Sequence, residues 1–322
     1  MAPAGGGKFL SALTDKVNLA PDISVIITTR NRCMDLARTL NVLSNMEHGP
    51  SEILITADGC QDDTLDLISR DFPGCRIIVN DSPLGSVASR DQMIREAHNE
   101  IVVSLDDDSY PIDGSFFLDL PRLFTDHPTA AVITFSELRD GGLYSTDMRS
   151  PIAKGHYVAA YPNCAAAMRR SVYLKQPGFP NFFFHMYEET DYALQCYAEG
   201  YSVWFEPSLT IRHHVSAKNR GWLRRHHLNA RNELWSVWMR CPWPWLPVVS
   251  LFRIWRQFRY ACTEGLGWAI QEPAWWFDAL AGVLRCKQNR GAIPWSVYYK
   301  WMRLAKRPQF ESDAFLPERA VI

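Results

Sequence analysis

The order of elements along the chain predicts an α/β fold: a mostly parallel central sheet flanked by helices, continued by a helical, tryptophan-rich C-terminal region. Three observations carry this expectation. Four short apolar runs at 23–28, 53–57, 76–79 and 101–105 alternate with helical periodicities, the pattern of strand–loop–helix units. Polar and acidic residues gather at the carboxyl ends of those runs, the ligand-binding rim of an open α/β sheet. The composition then shifts: residues 1–234 carry 22 basic and 29 acidic side chains, and residues 235–322 carry 12 and 6.

The elements follow in order. Residues 1–21 form a lead-in without a continuous apolar core of signal-peptide length. Residues 23–28 (ISVIIT) read as a strand that ends in the loop Thr29-Arg30-Asn31-Arg32, and Leu36, Leu40 and Leu43 space out a helix behind it. Residues 53–57 form a second strand ending at Asp58-Gly59, and Asp62-Asp63-Thr64 leads into a helix with Leu65 and Ile68. Residues 76–79 form a third strand, 85–97 a polar turn and helix, and 101–105 a fourth strand. Right-handed crossovers put all the connecting loops on one rim.

That rim predicts chemistry. Asp106, Asp107 and Asp108 follow the fourth strand directly. Three adjacent carboxylates repel one another and cannot all be buried unpaired, and a hard divalent cation resolves the conflict. A solvated acidic turn is the plain alternative. Asp58 alone reads equally well as a turn or cap residue. No GxGxxG follows the first strand and no GxxxxGK[ST] occurs, which argues against dinucleotide-binding and P-loop folds.

Five motifs in order resemble the family 2 glycosyltransferases of the GT-A fold: VIITTRNR at 25–32, ADGCQDDT at 57–64, GSVASRD at 85–91, LDDD at 105–108 and EETDYAL at 188–194. The resemblance covers about 22–232. It implies an inverting, metal-dependent transferase acting on a nucleotide-diphosphate sugar, with UDP, GDP or dTDP as the nucleotide. By the same resemblance Asp58 contacts the base, and Thr29 and Arg30 line the nucleoside and phosphate pocket. Asp106 and Asp107 belong to the donor site, while Asp108, with Asp106, ligates Mg2+ or Mn2+. Arg90 assists the leaving diphosphate. Thr28 stands where the family has proline, and Asp91 where it has asparagine.

Past the rim, 111–127 reads as a helix, 130–135 as a strand, and 134–156 as a polar insertion forming a wall of the site. Residues 161–169 return to the body, with Cys164 as apolar filler. The aromatic loop 178–187 runs into Glu188, Glu189 and Asp191 at a helix start, where the dipole favours carboxylates. Aromatic rings beside a carboxylate make an acceptor platform that excludes water. Transfer to a hydroxyl needs one general base. Glu189 aligns with the family's base position, and Glu188 and Asp191 are the alternatives. Residues 203–207 read as a last strand followed by an exposed turn holding His213 and His214. The family resemblance points to His214 as a further metal ligand, and Arg224 and Arg225 fall in a basic cluster that folds over the diphosphate.

The chain as a whole is 47% apolar with net charge −1, which gives nucleic acid no purchase. Eight scattered cysteines without CxxC predict a reduced, cytoplasmic protein. No run reaches membrane-spanning length. In 235–322, tryptophans interleaved with arginines predict a peripheral contact with the inner membrane, which suits a lipid-linked or glycan acceptor of envelope polysaccharide synthesis. A bundle packed on the body, or a homodimer, is the competing expectation. Two rival functions are a nucleotidyltransferase, which should carry a glycine-rich phosphate loop after the first strand, and a non-catalytic carbohydrate-binding scaffold.

Overall fold

The computed structural model describes residues 22–144, 154–215, 221–307 and 309–311. The lead-in and part of the 134–156 insertion therefore lie outside the described residues. The first half alternates as expected: β1 (Ile23–Thr29), α1 (Cys33–Ser44), β2 (Glu52–Asp58), α2 (Thr64–Asp71), β3 (Arg76–Asn80), α3 (Ser86–Glu96) and β4 (Ile101–Asp106). These strands are parallel in the order β3-β2-β1-β4. The short β5 (Ser109–Pro111) and α4 (Phe116–Asp126) come next, then β6 (Ala130–Arg139), which turns into β7 (Gly142–Tyr144). Following β8 (His156–Tyr157), β9 (Ala166–Arg169) slots antiparallel between β4 and β6 and feeds α5 (Arg170–Leu174). Then α6 (Glu188–Ala198) precedes β10 (Ser202–His213), which is parallel to β6 and antiparallel to β5.

Alternation along the strands builds two cores. On β1, Val25 and Ile27 face one side, packed with Leu36 and Leu40 of α1, Ile68 of α2 and Phe116 and Leu120 of α4. Ile26 faces the other side, with Met93 and Ile94 of α3 and Tyr192 and Leu194 of α6. Each fully buried leucine contributes roughly 2 kcal/mol over its exposed state.

Two strands run longer than the sequence suggests. β6 continues to Arg139, so 134–139 is sheet and not insertion. β10 continues to His213, so the histidine pair straddles a strand end and does not share an exposed turn. Strand pairing with Ser109–Pro111 makes this extension, a contact 100 residues away that local pattern does not encode.

The C-terminal region is helical: α7 (Trp222–Arg240), α8 (Trp245–Glu264), α9 (Leu266–Ala269), α10 (Glu272–Ala281), α11 (Val283–Gln288) and α12 (Trp295–Leu304). The composition boundary at 234/235 falls inside α7. Part of this region packs on the body: Trp235 and Trp301 are buried, and the Trp301 indole donates to the Ala159 carbonyl at 2.9 Å. No helix among the described residues is long and apolar enough to cross a membrane.

Candidate active site

The carboxyl ends of β1, β2 and β4 open into a cavity of about 640 Å³. Thr29, Arg30, Asp58, Arg90, Asp106, Asp107, Asp108, Glu188 and Glu189 all line it, so nine of the residues singled out in the sequence converge on one space. Asp191 and His214 are not among its lining residues.

Asp58 ends β2 and holds the next loop. One carboxylate oxygen accepts from Asn80 Nδ2 and the Leu84 backbone N–H, both at 2.8 Å, and the other accepts from the Gly85 N–H at 2.9 Å. Gly85 has φ +92°, and a Cβ there would stand 2.3 Å from the Phe184 carbonyl oxygen. Only glycine lets the aromatic loop lie this close to the Asp58-held turn. Across the rim, Asn31 Oδ1 accepts from the Gln61 N–H and Asp62 from the Cys33 N–H, which ties the loops after β1 and β2 together.

Arginines serve as counter-ions to the three aspartates. Arg32 reaches Asp107 at 2.7 Å and Asp108 at 2.6 Å, and the buried Arg90 pairs with Asp106. Asp107 turns back into the protein: Thr29 Oγ1 donates to it at 2.9 Å, and Thr39 donates to its carbonyl. Burial pushes Asp107 up to about 7, Asp108 and Asp106 add repulsion, and Arg32 offsets only part of this. Asp108 is buried too, but His213 and Arg32 hold it below the usual carboxylate range against that burial.

His213, not His214, completes this cluster. The two side chains leave the end of β10 on opposite faces. His213 turns inward, its Nε2 3.3 Å from Asp108 and 3.8 Å from Asp106, while Nδ1 donates to Glu137 at 2.8 Å. His214 turns away, and its ring meets the Tyr110 hydroxyl at 2.8 Å. Burial alone would lower His213, but the Asp108 and Glu137 contacts outweigh it and bring its pKa to about 9. Glu137 had no local signal, because its part of β6 read as a polar loop.

Ligand atoms of Asp106, Cys164 and His213 lie within 4.8 Å of one another, a candidate metal-binding group. Its donor chemistry can be tested against a hard cation. Asp108 Oδ1 is buried without a hydrogen bond beyond its 3.3 Å contact with His213 Nε2, which puts a carboxylate oxygen beside Asp106 and His213. Oxygen and imidazole donors suit Mn2+ or Mg2+, whereas the Cys164 thiol, raised well above its ordinary pKa by burial, stays protonated and is a poor ligand. Asp106, Asp108 and, on giving up its Nε2 proton, His213 therefore fit such an ion, with Glu137 holding the Nδ1–H from behind.

Glu188 and Glu189 begin α6 on the far wall. Glu188 accepts from Asn163 Nδ2 at 2.9 Å, and its other oxygen is buried without a hydrogen bond. Burial raises both carboxyls, Glu188 adds to the rise of Glu189, and Arg90 pulls each back in part. Asp191, one turn on, is wholly buried and engaged by Arg240 at 2.9 and 3.1 Å, Ser236 at 2.7 Å and Gln195 at 2.8 Å. It braces α6 against α7 and does not reach the cavity.

The loop before α6 is strained. Phe184, Met186 and Tyr187 all have positive φ, at 69°, 77° and 73°. Asn232 on α7, fully buried, holds it by donating to the carbonyls of Phe183, His185 and Met186. His185, also unsignalled in the sequence, projects from this loop into the cavity between Ser86 at 2.9 Å and Arg225 at 3.2 Å.

The signature of glycosyl transferase family 2 matches residues 24–189, just over half of the chain. The protein belongs to this family. Among solved structures, this family 2 glycosyltransferase is similar to the mannosyltransferase PcManGT from Pyrobaculum calidifontis in complex with GDP-Man and Mn2+. That match has 16% identity and a TM-score of 0.56 over 83% of this chain and 88% of the other. S. aureus TarS 1-349 in complex with UDP-GlcNAc matches at 13% identity and a TM-score of 0.58, over 91% and 89%. GalNAc-T7 with UDP, GalNAc and Mn2+ matches at 14% and 0.56, over 71% of this chain and 49% of that one. At these identities the likeness shows the fold, GT-A, alone. No curated protein sequence matches the chain.

Proposed function

We propose that the protein is an inverting glycosyltransferase that moves a sugar from a nucleotide-diphosphate donor to a hydroxyl of a glycan or lipid-linked acceptor. The observation that carries this reading is one cavity with a cation site on one wall and a raised carboxylate pair on the other. Asp106, Asp108 and His213 form the first wall, and Glu188 and Glu189 the second. The structurally similar proteins crystallised with GDP-Man and Mn2+, and with UDP, GalNAc and Mn2+, support it.

Asp106, Asp108 and His213 would hold Mg2+ or Mn2+, which when bound neutralises charge on the departing diphosphate. The protein's own residues do the rest. Thr29 and Arg30 line the pocket for the nucleoside and phosphates, and Asp58 shapes its floor by fixing the Leu84-Gly85 turn. Arg90 is buried beside Asp106 and supplies a fixed positive charge to the diphosphate. Glu189 takes the proton from the attacking acceptor hydroxyl. Burial and Glu188 raise its pKa, which makes the carboxylate a stronger base than a solvated one. Glu188, bonded to Asn163, holds the start of α6 in place.

Calorimetry with a panel of UDP-, GDP- and dTDP-sugars, with and without Mn2+, tests this. One donor should bind tightly only with metal and lose that binding in Asp108→Ala. If no donor binds to the folded, metal-supplied protein, the donor-site assignment fails.

A further inference from the structure

The described tail leaves an unusual amount of apolar surface uncovered, and on α8 that surface has a definite geometry. The helix buries Val249, Ser250, Gln257 and Ala261 against α7 and the body. The opposite face carries Val248, Leu251, Phe252, Trp255 and Phe258, which are 60%, 68%, 50%, 50% and 39% exposed. Their spacing of i, i+3, i+4, i+7 and i+10 makes a continuous stripe along three turns. An outward stripe of this kind has no role in holding the monomer together, and a polar surface would be the default.

The charge around the stripe identifies what covers it. Between Trp245 and Arg307 the chain has ten lysines and arginines and three acids; Arg253 and Arg256 pair with Glu233 of α7 and Glu272 is buried against His226, which leaves eight cations against two acids. Arg259 lies at the edge of the stripe, its guanidinium 4.9 Å from the Trp255 ring centre. Lys300, Arg303 and Lys306 are exposed on and just past α12, which docks at the α8 N-terminus through Trp245 stacked on Trp295 at 4.5 Å. A second copy packed face to face would bring this excess positive charge against itself. An anionic lipid surface instead takes up apolar side chains and neutralises the arginines and lysines around them, each worth about 1 kcal/mol near such a surface. Tryptophan beside arginine suits the headgroup boundary.

We infer that the outer face of α8 docks on an anionic lipid surface, with the helix lying in the plane of the interface. The contact inferred is a peripheral one; no helix among the described residues is long and apolar enough to cross a membrane.

Flotation of the full chain with vesicles of phosphatidylcholine, with and without phosphatidylglycerol, tests this directly. The protein should float with the anionic vesicles, float poorly with the neutral ones, and be released by salt. Leu251→Ser with Trp255→Ser should lower partitioning roughly tenfold or more. Because both positions are exposed, the melting temperature and metal-dependent donor binding should not change. Phe252→Ser serves as a second variant should the double substitution fail to fold. Three results would overturn the inference: no flotation with anionic vesicles, flotation unchanged in the variants, or a dimer in sedimentation equilibrium that the same variants abolish without any vesicle binding. The assay needs no turnover, so its failure leaves the catalytic reading intact.

Discussion

The rim of the sheet and the outer face of α8 break the same rule in opposite directions. At the rim, carboxylates, arginines and a histidine that belong in water are buried: Arg90, Asp107, Asp108 and Glu188 are each at most 4% exposed. On α8, side chains that belong in a core face solvent. In both places the departure costs folding free energy locally. The rim solves its problem internally, with ion pairs that a substrate and cation can replace. Among the described residues the α8 stripe has no internal solution, and the counterpart inferred for it is a lipid surface. A buried charge network is therefore where substitutions should damage both folding and chemistry, and an exposed apolar stripe is where they should damage neither.

The sharpest separation comes from Glu189→Gln. It should lower kcat roughly 10²- to 10⁴-fold while donor affinity stays within a few-fold, measured as turnover and calorimetric binding on the same preparation. Equal losses in both would make Glu189 a binding residue. Arg240→Met comes next. It leaves Asp191 buried without its counter-ion and should cost about 3–5 kcal/mol in urea unfolding, with Asp191→Leu in the same chain restoring part of the loss. If Arg240→Met is neutral, the brace between α6 and α7 is not what holds the catalytic wall.

Gly85→Ala should cost roughly 1–3 kcal/mol, from positive φ and from the clash with Phe184, and should weaken donor binding because the Asp58-held turn shifts. A comparable effect, up to about 3 kcal/mol, is expected from His185. Burial, then Arg225 and Arg90, lower its pKa to about 4, against a minor upward pull from Asp106 and a further downward one from Arg224. The unfolded chain therefore takes up this proton first as pH falls. Stability from the neutral ring is complete above about 6.5 and declines toward pH 4, so the melting temperature of His185→Gln should depend less on pH in that window. The smallest effect belongs to α8: Leu251→Ser should move stability by no more than about 0.5 kcal/mol. A larger loss would mean that the stripe is packed within the protein, and the comparison would collapse.

Much of this was legible in the residues themselves. Short apolar runs followed by helical spacing specify strands and helices through local contacts, and their alternation specifies parallel pairing, though not the order β3-β2-β1-β4. The same locality places Asp58 and the three aspartates at strand ends, since a strand's carboxyl end is a sequence position. Tertiary structure decided the rest. Whether His213 or His214 enters the site depends on how far β10 extends, which its pairing with β5 sets. That Asp191 braces while Glu189 lines the cavity depends on Arg240 arriving from 49 residues away. The second apolar face of α8 is a pattern in the sequence, but its exposure is not: only the packing of α7 and the body against Val249, Gln257 and Ala261 turns the other face outward. Periodicity records which residues share a side, and only long-range contacts record what that side meets.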